Sequence, residues 1–212
     1  MPRARAPLAA GRLWLNFVNT DEAPRHAQAD ALKSFDGYLA WLEAVTLLDA
    51  GRRAALQRRA QEQPASATAA LHEARRIRST LRPLAEQGVQ ASERVTQAAV
   101  VEINRVLGRS TGVQRVEHDP RDNSFHRAFL SGGDAFAALV IPMVESAADA
   151  LVNGELVRVR RCAAEPPCPR VFLDTSRNGR RRWCDMKSCG NRAKAARHRG
   201  AVQVSRPKPP AP

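Results

Sequence analysis

Aromatic side chains are scarce in this 212-residue chain, at 5% of residues with a single tyrosine. A core with so few rings must be built from aliphatic side chains. Hydrophobic residues make up 43% of the chain, enough for a real core, and the abundance of Ala and Leu leans that core towards helix. Long apolar runs are also missing. No stretch approaches the roughly 18 residues that a membrane span needs, and the best one, residues 135–144, is interrupted by Pro142. Residues 1–10 are partly basic but hold no sustained apolar stretch. No signal peptide and no membrane partner are expected, and the expected location is cytoplasmic. Catalytic groupings are missing too. His26, His72, His118 and His126 are scattered without metal-hydrolase spacing, and no glycine-rich phosphate loop follows a clear strand. The chain is therefore read as a non-enzyme.

Cysteine does not occur before Cys162, and all four cysteines lie between 162 and 189. A disulfide framework suits a short secreted chain, whereas clustered cysteines in a cytosolic one more often hold a metal. Acidic residues run short in the same region. Residues 1–157 carry 19 Lys/Arg against 18 Asp/Glu, while residues 158–199 carry 13 against 3. The N-terminal body is close to neutral and the C-terminal quarter is a concentrated cation, the asymmetry expected where the partner is a polyanion.

Hydrophobic spacing predicts a helical body. The type of the apolar stretch Leu13 to Thr20 is ambiguous. Asp30 reads as the cap of a helix to about Leu48, and Asp49 as the cap of a shorter one around Arg52 to Gln61, which Pro64 ends. Ser66 is expected to cap a long helix carrying Leu71, Ala74, Ile77, Leu81 and Leu84, kinked or ended by Pro83. Ser92 should cap the next. Val113 to His118 and Ser124 to Leu130 read as a short β-hairpin. Asp134 precedes a strong helical stripe closed by Asn153-Gly154, after which Leu156, Val157 and Val159 lead as a strand into the first cysteine. Trp14, Tyr38 and Trp41 read as core.

The cysteines follow C-x5-C-x15-C-x4-C. Two pairs at this spacing supply the four soft ligands of one tetrahedral, structural Zn2+. The ligands are Cys162, Cys168, Cys184 and Cys189. Between the pairs, Val171-Phe172-Leu173 and Arg181-Arg182-Trp183 read as two strands of a hairpin with a turn at Ser176 to Gly179. Asp185 should cap a helix from Met186 to Arg199 that turns Cys189, Ala193 and Ala196 towards the metal. A unit this small needs such a staple. The knuckle, hairpin and helix order is that of a treble-clef-like finger.

The expected nucleic-acid-binding residues are Arg177, Arg180, Arg181 and Arg182 on the hairpin and Lys187, Asn191, Arg192, Lys194, Arg197 and Arg199 on the helix. Basic side chains would displace counterions from phosphates, and Arg or Asn on a helix can read base edges in a major groove. Some of the charge, about two Arg, is assigned to offsetting the anionic zinc–thiolate centre. Asn16, Asn19 and Thr20, polar within an apolar stretch, with Arg76 and Arg78 from the long helix, form a candidate small-molecule effector pocket. Capping and helix-to-helix hydrogen bonding is the competing reading of these groups.

Residues 184–194, Cys-Asp-Met-Lys-Ser-Cys-Gly-Asn-Arg-Ala-Lys, resemble the core of the CGNR zinc-finger family, whose tetrapeptide stands at Cys189 to Arg192. Phe172 to Cys184 is similar to that family's hairpin, although the first cysteine pair departs from it with five intervening residues. Leu13 to Thr20, Asp30 to Leu48 and the run into Arg160-Arg161-Cys162 resemble the ABATE domain that usually precedes this finger. The resemblance implies a bacterial, stress-linked transcription regulator with the four cysteines as zinc ligands, the finger as the DNA-binding part, and the N-terminal domain as a sensory or interaction part.

The expected architecture is mainly α. A helical domain at 1–157 is followed by the finger at 158–200 and a disordered tail at 201–212. The expected function is zinc-dependent binding of double-stranded DNA in transcription regulation, with a small-molecule effector and a homodimer as candidate partners. Two alternatives stand beside it: an RNA-binding or protein-interaction module, and an enzyme with its site in the helical body.

Overall fold

The computed structural model describes residues 9–21, 30–109, 112–119, 124–131, 134–165 and 168–204, with backbone alone for most of 112–131 and for 198–204. The ambiguous N-terminal stretch is a helix, α1 (Leu13–Val18), with Trp14, Leu15, Phe17 and Val18 fully buried. Six residues cannot sustain a helix in water, so α1 is held by what surrounds it, chiefly the helices Pro64–Gln87 and Ile141–Val152.

The expected helix from Asp30 to Leu48 is two pieces. Asp30 caps a single 3-10 turn at Ala31–Lys33 through the Leu32 N–H at 2.8 Å. Ser34, extended at φ −140°, breaks the run and caps α2 (Phe35–Ala44) through the Gly37 N–H at 3.0 Å. A Ser that can offer its hydroxyl to N3 competes well with helix continuation. Asp49 caps α3 (Ala50–Glu62), as expected.

Pro64 opens α4 (Pro64–Gln87) at its first position rather than closing α3, and Ser66 lies inside that helix rather than capping it. Proline suits the first turn, where its missing N–H would have no partner. Pro83 sits inside α4 without ending it. The buried stripe Ala67, Ala70, Leu71, Ala74, Ile77, Leu81 and Leu84 makes α4 the central helix of the body. Ser92 caps α5 (Glu93–Leu107).

The antiparallel hairpin β1 (Gly112–Asp119) and β2 (Ser124–Ser131) follows, in the register Val116↔Arg127. Its expected connection at 120–123 is outside the described residues. Asp134 accepts from the Phe136 N–H, a 3-10 turn spans Ala137–Val140, and α6 (Ile141–Val152) continues to the left-handed Gly154. Glu155–Arg158 is a 3-10 turn, so strand β3 begins only at Val159 and ends at Arg161.

β3 pairs antiparallel with β4 (Val171–Leu173), Arg160 opposite Phe172. This corrects the expected hairpin, because Arg181-Arg182-Trp183 is not a strand. Met186–Gly190 forms a π-type turn capped by Asp185 through the Ser188 N–H at 2.6 Å, and α7 (Asn191–Val204) leaves from it. Helix therefore occupies 201–204, where a tail was expected, and 205–212 is outside the described residues. No helix among the described residues is long and apolar enough to cross a membrane.

The cysteines and β4 belong to the same apolar core as α1 and α4. Two glycines allow the backbones to meet there. Gly11, at φ +82°, would set a Cβ 3.2 Å from the Leu173 Cβ, and Gly88, at φ +54°, one 3.1 Å from the Leu156 carbonyl oxygen. Either position would be strained with a larger residue.

Candidate metal centre and nucleic-acid interface

β3 carries the chain into Cys162, and the Arg170 carbonyl accepts from the Cys162 N–H at 2.9 Å to close the knuckle over Cys168. Cys184 precedes the capped turn and Cys189 lies within it. All four cysteines are buried and free of disulfides, with their Sγ atoms within 4.8 Å of one another. The Cys168–Cys184 and Cys184–Cys189 sulfur pairs stand 3.8 and 3.7 Å apart. A zinc bound to sulfur at about 2.3 Å in a tetrahedron requires an edge of about 3.8 Å. A disulfide would require about 2.0 Å.

The acid–base balance of the set also asks for a cation. The hydrogen bond from Cys184 holds Cys162 down to about 5. The same bond, then burial, pushes Cys184 well above the usual thiol range, and burial pushes Cys168 up. Four such thiols cannot all ionise against one another, and a dication among them removes the conflict. The four cysteines form one structural zinc site. Four protein ligands complete the coordination, so the zinc's contribution is to fold the module.

Two expected nucleic-acid residues serve the centre itself. Arg192 Nη2 donates to Cys189 Sγ at 3.2 Å. Arg181 lies over the Phe172 ring at 4.6 Å, donates from Nε to the Trp183 carbonyl at 2.9 Å, and donates from Nη2 to the Cys184 carbonyl. Both side chains are half-buried, and only Arg192 reaches a cysteine sulfur. Ala193 is half-buried, but Ala196 is exposed, so α7 faces the metal only over its first turn.

Arg177, Arg180, Arg182, Lys187, Asn191, Lys194 and Arg197 are exposed. Arg182 also lies 5.6 Å from the Trp183 ring. The Arg199 side chain is outside the described residues.

Asp174 carries more of the module than its sequence position suggests. It is fully buried. Its Oδ1 accepts from the Ser176 N–H at 2.9 Å and the Ser176 hydroxyl at 2.5 Å, and its Oδ2 accepts from the Arg181 N–H at 2.9 Å. Burial works against its charge, but the hydrogen bonds from Ser176 and Arg181 outweigh it and hold the carboxyl below the usual range. Asp174 bends the chain after β4 so that 181–183 runs beside the knuckle, where the Arg182 carbonyl accepts from the Ala163 N–H at 2.8 Å. An Asp followed two residues later by Ser was the available sequence signal, as a side-chain turn.

Asn19 docks the module onto the body. Its amide donates to the Val171 carbonyl at 2.8 Å and its Oδ1 accepts from the Val171 N–H at 3.0 Å, so it pairs with β4 as a neighbouring strand would. The Leu173 N–H donates to Ala10 O beside it. Truncating Asn19 leaves both Val171 groups unpaired in a half-buried seam. Asn19→Ala is expected to cost about 2–3 kcal/mol of stability by denaturant melt, with zinc content unchanged. A melt within about 0.5 kcal/mol of the parent would remove this role.

Of the candidate effector group, Asn16, Asn19 and Thr20 line a cleft of about 210 Å³ between α1 and the knuckle. Trp41, read as core, is half-buried and forms one wall. Arg76 is not there. It pairs with Glu102 of α5 at 2.8 Å, within a network that includes Glu73 and Arg105. The competing reading holds in part: Thr20 donates to the Phe17 carbonyl and accepts from Arg78.

Two family profiles match the sequence. One, described as "CGNR zinc finger", matches residues 158–200. The other, ABATE, described as "Putative stress-induced transcription regulator", matches residues 11–165. No curated protein matches the chain. The two profiles overlap at 158–165, which is β3 and the first half of the knuckle, the segment that body and finger share. With most of its length matched in this way, the chain belongs to the ABATE family and ends in a CGNR zinc finger.

Proposed function

We propose that the protein is a zinc-dependent transcription regulator whose finger binds double-stranded DNA. The observation that carries this reading is how its cations are used. In the body, several arginines are paired internally, Arg53 with Glu43, Arg78 with Asp30, Arg82 with Asp21, and Arg105 with Glu73 and Glu102. The exposed ones, such as Arg52, Arg58 and Arg94, stand in a region with nearly as many acidic residues as basic ones. In the finger, Arg177, Arg180, Arg182, Lys187, Lys194 and Arg197 form no ion pair among the described residues. They lie on the loop after β4 and on the exposed side of the π-type turn and α7. A set of unpaired cations on a metal-stiffened frame suits a phosphate backbone, and Asn191 on the same helix can reach a base edge. The reading contains no catalytic step.

Binding of duplex DNA should weaken steeply with salt, by close to one power of salt concentration per phosphate contact. Replacing Arg177, Arg180 and Arg182 together by Gln should weaken binding at least tenfold and flatten the salt slope by about 2–3. Fluorescence anisotropy on duplex DNA and on RNA, with zinc content assayed, checks this. A zinc-loaded triple variant that binds duplex like the parent, or a parent that prefers RNA, overturns the DNA reading.

A further inference from the structure

We propose that the cleft between α1 and the zinc knuckle binds a small zwitterion of amino-acid size. This goes beyond the nucleic-acid reading and does not depend on it.

Size sets the first limit. About 210 Å³ is roughly seven water volumes, room for about seven to ten non-hydrogen atoms and less than a drug-sized pocket offers. The chemistry of the walls sets the second. The body contributes the Asp21 carboxylate, the Asn16 amide and the half-buried Trp41 indole, while the finger contributes the Arg170 guanidinium and the Asp185 carboxylate. Asp21 spends Oδ2 on Arg82, and Asp185 spends Oδ1 on the Ser188 N–H. Each therefore keeps an oxygen to accept with. Asn16 donates to the Arg12 carbonyl, which leaves its second amide hydrogen.

A cationic group has two carboxylates, Asp21 and Asp185, and the Trp41 indole among the cleft's walls, and an indole ring attracts cations. An anionic group would find Arg170, a planar donor suited to carboxylate. In a chain carrying +13, an anion site would show surplus cations. This cleft instead carries both signs, two carboxylates and one guanidinium, and such a cleft selects a molecule that carries both. Because its walls come from body and finger alike, an occupant touches the seam that Asn19 pins.

The test is isothermal titration of the zinc-loaded full chain with the proteinogenic L-amino acids. The amine and the carboxylic acid of the same carbon skeleton as the best binder serve as single-charge controls. Saturable binding is expected for at least one amino acid and at least tenfold weaker binding for both controls. Asp21→Asn on the body side and Arg170→Gln on the finger side should each weaken it at least tenfold. Zinc content and the unliganded melting temperature are followed in both variants, and Asp21 meets the knuckle only through Arg82, which donates to the Pro169 carbonyl, so one informative variant remains if Arg170→Gln loses metal. No saturable binding up to about 10 mM, a range that still resolves millimolar affinity, overturns the proposal. So does equal binding of a control, or unchanged affinity in a zinc-loaded variant. The titration contains no nucleic acid, so its outcome is separate from that of the DNA reading.

Discussion

Removing the zinc is expected to lower the melting temperature of the whole chain, not of the finger alone. The reason is the shared core. Val159, Val171, Phe172 and Leu173 pack in the same apolar cluster as Trp14, Leu15 and Leu81, and all four cysteines belong to it. Without the metal, buried thiols compete for protons and the knuckle loses its tie, so β4 loses its hold on α1. Structural zinc contributes about 10–16 kcal/mol of binding free energy in isolated fingers, comparable with the entire margin of about 5–15 kcal/mol that keeps a domain folded. Each 5 kcal/mol lost should lower the melting temperature by roughly 10–20 °C in a chain of this size. Calorimetry with and without chelator measures the shift. Fluorescence in a Trp183→Phe background, which leaves only Trp14 and Trp41, reports the body and its seam with the finger. If chelation changes nothing in that background, the finger is an independent appendage and the shared-core account fails.

The parts legible in the sequence were those decided by local chemistry. Zinc dictates both ligand type and spacing, so Cys162, Cys168, Cys184 and Cys189 could be assigned before any fold was known. Asp49, Ser92 and Asp185 were readable as caps because a cap acts on an N–H two or three residues away. Pro64 misled because the same ring that ends one helix also begins another. The strand partner of β4 was not legible, because 181–183 is drawn aside by a carboxylate seven residues away and β3 takes the vacated edge. Asn19 was read as a pocket residue, yet it bonds a residue 152 positions further on. Charge alone did not show that Arg181 and Arg192 also bond within the finger.

Asp174 should be the most sensitive single position outside the ligands. Asp174→Asn keeps the shape but places an amide where two backbone N–H groups and a hydroxyl now donate. At least one donor is left unsatisfied in a fully buried site, a loss of about 2–4 kcal/mol. The sign with pH follows from the direction of the shift. A carboxyl held below its unfolded value of about 3.9 stabilises the fold above that pH and loses the contribution as pH falls through the folded value. At neutral pH the parent therefore has the full benefit and the variant has none. Acid also removes zinc by protonating thiolates, and a module already loosened at Asp174 should release its metal sooner. The midpoint of zinc release on acidification is expected at higher pH in Asp174→Asn than in the parent, with a lower melting temperature at pH 7. Zinc-indicator titration from neutral pH downwards, paired with thermal melts, reads both. Coincident release curves and equal melts would mean that Asp174 decorates the loop after β4 and does not hold it.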